Sequence, residues 1–163
     1  MKKSFSKNLT ILITLIITLN TIAQDKKYIR KGNNYYLKKD YKNAEIMYKK
    51  ALEKNFSSKE ANFNLGNTLY RQEKYQAAIE KYENVAISAK GDDKEKSNHY
   101  YNLGNAYFKN QKIKESIEAY KKSLKLNPDN YDAKHNLQLA ILMLKNSNQG
   151  QSGQQKNNKD DNQ

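Results

Sequence analysis

Asparagine recurs at fixed offsets from three glycines. Asn64 and Asn67 flank Gly66, Asn102 and Asn105 flank Gly104 at the same offsets, and Asn33 follows Gly32, with Asn136 standing singly further on. Residues three apart share a helix face, so each pair points one way. A primary amide both donates and accepts, so a row of them can pair with the backbone of an extended peptide without reading its sequence. Four positions after the glycines stand Tyr36, Tyr70 and Phe108, and Ile29, Phe63 and Tyr101 precede them; these side chains would add apolar pockets, with Arg30, Arg71 and Lys109 at the rim. The same amides could instead bond neighbouring helices, and the rings could pack between them. The candidate binding set is Asn33, Tyr36, Asn64, Asn67, Tyr70, Arg71, Asn102, Asn105, Phe108, Lys109 and Asn136.

Catalytic chemistry has much less to work with. His99 and His135 are the only histidines, there is no cysteine, and the acidic pairs Asp92/Asp93 and Asp160/Asp161 sit in a turn and a polar tail. No nucleophile-base pair, metal-ligand cluster or phosphate loop can be assembled from these, so neither an enzyme nor a cofactor is expected. His135 reads as a surface residue.

The elements that would position the asparagines are helices. Gly32 and Gly66 are 34 residues apart, and Gly66 and Gly104 are 38 apart. A phrase recurring at this period marks a stack of similar helix-turn-helix units. The four additional residues of the second interval are assigned to Gly91-Asp92-Asp93-Lys94. Apolar residues follow the helical period: Leu65 and Leu69, Ile79 and Tyr82, Leu103 and Tyr107, then Ile117, Tyr120 and Leu124. Ser57 with Glu60 reads as a capping box, and Gly91-Asp92 closes one helix and caps the next. Asn127-Pro128-Asp129 ends a third unit, because the residue before proline is pushed out of the helical region. A last helix over 131–145, carrying Leu137, Ala140, Ile141 and Leu144, would cap the open end.

Both termini differ from this middle. Lys2, Lys3 and Lys7 precede an apolar stretch from Leu9 to Ile22, and Thr21-Ile22-Ala23 supplies small residues for cleavage before Gln24, so residues 1–23 read as an export signal. The stretch is short for a bilayer span and broken by Thr10, Thr14, Thr18 and Asn20. A periplasmic protein is expected, with an uncleaved inner-membrane anchor as the alternative. Residues 146–163 are rich in Asn and Gln and hold nothing apolar, so they are expected to be disordered. The whole chain carries +13, which falls to +10 without the three leading lysines. Such an excess could serve an anionic lipid or polysaccharide surface. The lysines are spread over helix backs rather than clustered, however, and nucleic acid is not an expected partner of an exported chain.

The units resemble the tetratricopeptide repeat. Tyr28, Gly32, Tyr35, Ala44, Tyr48 and Ala51 match its pattern in the first, and Leu65, Gly66, Ala78 and Tyr82 in the second, where Leu69 and Val85 depart from it. Tyr100, Leu103, Gly104, Tyr107, Tyr120 and Pro128 match in the third, with Ser116 and Ser123 for the two alanines. The resemblance implies an all-α, right-handed helix-pair solenoid: three repeats at about 25–58, 59–92 and 97–130, plus the capping helix, within a domain over 24–145. It also implies that the first helix of each repeat lines a concave groove, which would turn the asparagines into a ladder for a protein or extended peptide. A chaperone-type clamp for a C-terminal carboxylate would want Lys three residues before each glycine, where this chain has Ile29, Phe63 and Tyr101.

A narrower resemblance rests on the Tyr101-Asn102-Leu103-Gly104-Asn105 unit, the Asn127-Pro128-Asp129 turn before Ala133-Lys134-His135-Asn136-Leu137, and the Gln-rich tail. These are similar to the tetratricopeptide component of the Bat (aerotolerance) operon of Bacteroidetes-like bacteria. That family is associated with membrane proteins bearing von Willebrand factor A domains, which the resemblance implies as partners.

Overall fold

A computed structural model describes the backbone of residues 24–88 and 92–160, with side chains through residue 86 and from 92 to 147. The expected signal segment 1–23 and Gly91 lie outside the described residues. Among them there are seven helices and no strand: α1 (24–37), α2 (Tyr41–Lys54), α3 (Lys59–Arg71), α4 (Tyr75–Ser88), α5 (Asp93–Lys109), α6 (Ile113–Leu126) and α7 (Tyr131–Asp160). No helix among the described residues is long and apolar enough to cross a membrane. The chain divides into two compact units at Lys74, the first holding α1 to α3 and the second α4 to α7.

Local chemistry sets the helix ends. The Asp40 carboxylate accepts from Asn43 N at 3.2 Å and starts α2. Asp92 accepts from Lys94 N at 3.2 Å and starts α5, and Asn130 accepts from Ala133 N at 3.0 Å beside the first turn of α7. Each satisfies one of the orphan N–H groups of a first turn. The cap of α3 is Ser58, which accepts from Ala61 N at 3.4 Å, rather than the expected Ser57, whose hydroxyl donates to Asn55 Oδ1 at 3.0 Å. Glu60 therefore sits one position too early to reciprocate, and no capping box forms.

Three tight turns share one geometry. Lys39, Glu73 and Gln111 have φ of 59°, 60° and 61°, the left-handed region. In each, the following residue's N–H returns to the helix: Asp40 N to Tyr35 O at 3.0 Å, Lys74 N to Leu69 O at 3.0 Å and Lys112 N to Tyr107 O at 2.9 Å. This is the six-to-one bond that satisfies last-turn carbonyls, made here without the usual glycine.

Asp93 and Lys94, two of the four residues assigned to the insertion, lie in α5. Helix α5 has 17 residues against 13 in α3, and both end five residues past their glycine, so the insertion adds one turn to the start of α5.

In the first unit Ile29, Ala44, Tyr48, Ala51, Ala61, Leu65 and Leu69 form the buried set, with Ile29 only 3% exposed. In the second, Ile117, Tyr120 and Ala140 form a core against which Tyr101, Phe108, Ile113, Leu137 and Leu144 pack. Ser97 and Ser123, both fully buried, lie where α5 and α6 approach closely. The Ser97 hydroxyl lies 2.9 Å from Ser123 O, and the Ser123 hydroxyl donates to Ser97 O at 2.8 Å. Small side chains allow the approach, and the reciprocal bonds satisfy both hydroxyls.

Helix α7 is the longest of the described helices. It continues past Lys145 to Asp160, taking in most of the segment expected to be disordered. Once the first turns are fixed by packing, each further residue adds a hydrogen bond without a new nucleation cost. The segment also contains no proline to stop the helix.

Candidate functional site

One glycine, one tyrosine and two asparagines build the site in each unit. In the first, Gly32 on α1 faces Tyr48 on α2 so closely that a Cβ on the glycine would lie 2.5 Å from the ring. The absence of a side chain is what lets the ring lie flat against α1. Its hydroxyl then reaches the next residue, donating to Asn33 Oδ1 at 2.6 Å, and Asn64 Nδ2 on α3 donates to the same oxygen at 3.1 Å. The second unit repeats this chemistry: a Cβ on Gly104 would meet the Tyr120 ring at 2.5 Å, Tyr120 donates to Asn105 Oδ1 at 2.8 Å, and Asn136 Nδ2 on α7 donates at 2.9 Å. Burial pushes the Tyr48 pKa well above its ordinary value, so this hydroxyl remains a donor at neutral pH.

These bonds change what the asparagines present. The carbonyl oxygens of Asn33 and Asn105 each already take two donors, so what they retain for a ligand is the N–H side of the amide. The ladder was read as offering donors and acceptors alike, with bonds between neighbouring helices as the alternative, and four of its members make such bonds from a first helix to the next first helix.

The first unit gathers Asn33, Tyr36, Asn64 and Asn67 around a single hollow of about 300 Å³, completed by Leu37 and Tyr48. Leu37 is 79% exposed, an apolar side chain at the mouth. Arg71 Nε donates to the Tyr36 hydroxyl at 3.4 Å and holds that ring at the rim, where it also meets Tyr41 edge-on at 5.4 Å. Tyr70 is half-buried on the same helix as Asn64 and Asn67. In the second unit Asn102 is half-buried and makes no side-chain hydrogen bond among the described residues, and Lys109 is exposed. Phe108 packs against the Ile117–Tyr120–Ala140 core, and the Tyr101 ring lies 6.3 Å from that of Tyr120. Ile29 is buried in the first unit's core and lines no surface.

The hydrogen-bonding role of Tyr48 and Tyr120 was not found from the sequence, where both stood as positions matching the repeat pattern. A signal was present: in both, the tyrosine falls sixteen residues after a Gly-Asn pair. His135 is exposed, whereas His99 is buried with Glu95 at 3.7 Å. Among the described residues no group of three or more acidic or histidine side chains could hold a metal ion.

Profiles of the tetratricopeptide repeat match residues 29–94 and 97–130. Several solved structures are similar. The first such domain of Spaghetti (RPAP3), bound to the HSP90 peptide SRMEEVD, is 22% identical over 75% of this chain and 94% of that one, with a TM-score of 0.69. The domain of Arabidopsis OM64 is 20% identical over 76% and 98%, with a TM-score of 0.68. The TPR2AB domain of yeast Sti1, solved as a complex with pHSP90, is 26% identical over 77% of this chain and 49% of that one, with a TM-score of 0.66. No curated protein sequence matches.

Proposed function

The chain belongs to the tetratricopeptide repeat family, an all-α helical solenoid, and from that premise we propose that it is an exported adaptor gripping an extended segment of a partner protein. The observation that carries this reading is the hollow in the first unit, where Asn33, Tyr36, Asn64 and Asn67 converge with an exposed leucine at its mouth. Amide N–H groups supply sequence-tolerant bonds to peptide carbonyls, and the tyrosine and leucine supply an apolar contact for one side chain. Domains of the same fold have been solved with peptides bound, which supports a peptide as ligand. The charged start, apolar stretch and small residues of the first 23 positions support export to the periplasm. The resemblance to the Bat component supports a place beside membrane proteins bearing von Willebrand factor A domains.

The test is affinity capture from envelope extract, followed by titration of the captured partner. Asn67→Ala with Tyr36→Ala should weaken binding about tenfold or more, the scale of losing one or two buried hydrogen bonds and an apolar contact. Lys50→Glu with Lys125→Glu should leave it nearly unchanged. If the charge reversals abolish binding and the pocket variants do not, the peptide reading fails in favour of an anionic surface.

A further inference from the structure

We propose that the second unit holds another binding site, distinct from the amide-bearing faces, which takes a small aromatic amine. A hollow of about 420 Å³ lies among α4, α5 and α6, within the size range of small-molecule pockets. From α5 it is lined by Tyr100, Leu103 and Tyr107, at spacings of three and four along one helix face. Asn102, Asn105 and Lys109 follow the same spacing two residues on, which at about 100° per residue sets them roughly 200° away. The two surfaces are therefore opposite sides of one helix.

The repeats themselves show that this hollow is built by substitution. Counting from each repeat's glycine, Ala119 occupies the place of Met47 and Lys81, and Ala86 the place of Leu52 and Leu124. Both walls have lost a long side chain, and both losses face the same space. Charge departs there too. Glu83 stands where the other repeats carry Lys49 and Lys121, and Glu115 where they carry Asn43 and Ala77. Four departures from the chain's own pattern thus surround one cavity.

Their chemistry points to the ligand. Ala86, Leu103 and Ala119 make an apolar floor able to hold a ring. The rim carries Glu83, Glu115 and Glu118 against Lys114 and Lys122, an acidic balance in a chain of net charge +13. Glu83 accepts the Tyr107 hydroxyl, Glu118 takes Lys121 at 2.8 Å, and Lys122 lies over the Tyr100 ring at 5.5 Å. Glu115 has no hydrogen bond or ion pair among the described residues. It is the carboxylate placed to receive an ammonium group while the attached ring fills the floor, a charge-assisted contact at the edge of an apolar site.

Tryptamine, its neutral alcohol analogue tryptophol and the anion indole-3-acetate are the probes, each titrated into the full chain by NMR. Tryptamine should shift the backbone amides of Ala86, Leu103 and Ala119 at millimolar concentration or below. Tryptophol should bind more weakly and indole-3-acetate most weakly. Glu115→Gln should weaken tryptamine about tenfold while leaving tryptophol unchanged. Ala86→Leu and Ala119→Met restore residues that the other repeats carry, and each should abolish binding with helical content retained. The proposal is overturned if tryptamine shifts none of these amides, if indole-3-acetate binds as tightly, or if both filling variants fold and still bind.

Discussion

Tyr48 and Asn33 are joined by a 2.6 Å hydrogen bond across fifteen residues, and Tyr120 and Asn105 by one of 2.8 Å across the same separation. The bond exists only because the residue before each asparagine is glycine, which lets the ring lie on the first helix. One dipeptide thus sets the spacing of a helix pair and provides the acceptor that holds it.

The energetic order within this arrangement follows from the geometry. Gly104→Ala forces a methyl group onto a buried ring and should cost about 2–3 kcal/mol, the overpacking scale. Tyr120→Phe keeps the ring and loses one hydrogen bond, for about 1 kcal/mol. Urea denaturation of the two variants checks the order, and a neutral Gly104→Ala would refute the steric account.

The three left-handed turn residues are sites of strain that glycine relieves. Replacing Lys39, Glu73 or Gln111 by Gly should stabilise the protein by about 0.5–1 kcal/mol each, because a Cβ is disfavoured at such φ values. The three turns are separate, so their effects should add. A drop in denaturation midpoint for any of the three would contradict this.

Glu45 makes the first unit's stability dependent on acid. Burial opposes its ionisation, yet bonds from Lys49 at 2.6 Å, Lys74 at 2.9 Å and Gln72 at 2.9 Å prevail and hold its pKa down at about 2. A lowered pKa stabilises the fold above the unfolded value near 4.5, and that stability is lost as pH falls through about 2. The full contribution at neutral pH is at most about 3 kcal/mol. Glu45→Gln should therefore be less stable than wild type at pH 7, and the gap should close between pH 4.5 and 2. A gap that is independent of pH would show the carboxylate to be energetically idle.

Ala140, Leu137 and Leu144 cover the Ile117 and Tyr120 core, so truncation before Asp132 should cost several kcal/mol, about 1.5–3 for each large side chain uncovered. Deleting residues 146–163 removes none of these contacts and should leave the thermal midpoint almost unmoved. Equal midpoints for the two truncations would mean that α7 does not cap the third repeat.

Fold class and repeat spacing were legible in the chain itself because they rest on local rules. The helical period of Leu65, Leu69, Ile79 and Tyr82, the stop at Pro128 and the cap at Asp92 need only neighbours in sequence. Asparagines two before and one after a glycine were equally visible as one face of a helix. Tertiary structure alone decided what those amides do. Whether Asn33 offers its carbonyl to a ligand or spends it on Tyr48 and Asn64 depends on three helices meeting at one point, 15 and 31 residues apart in sequence. A residue's type limits which bonds it can make, and the packing of distant helices selects the one it makes.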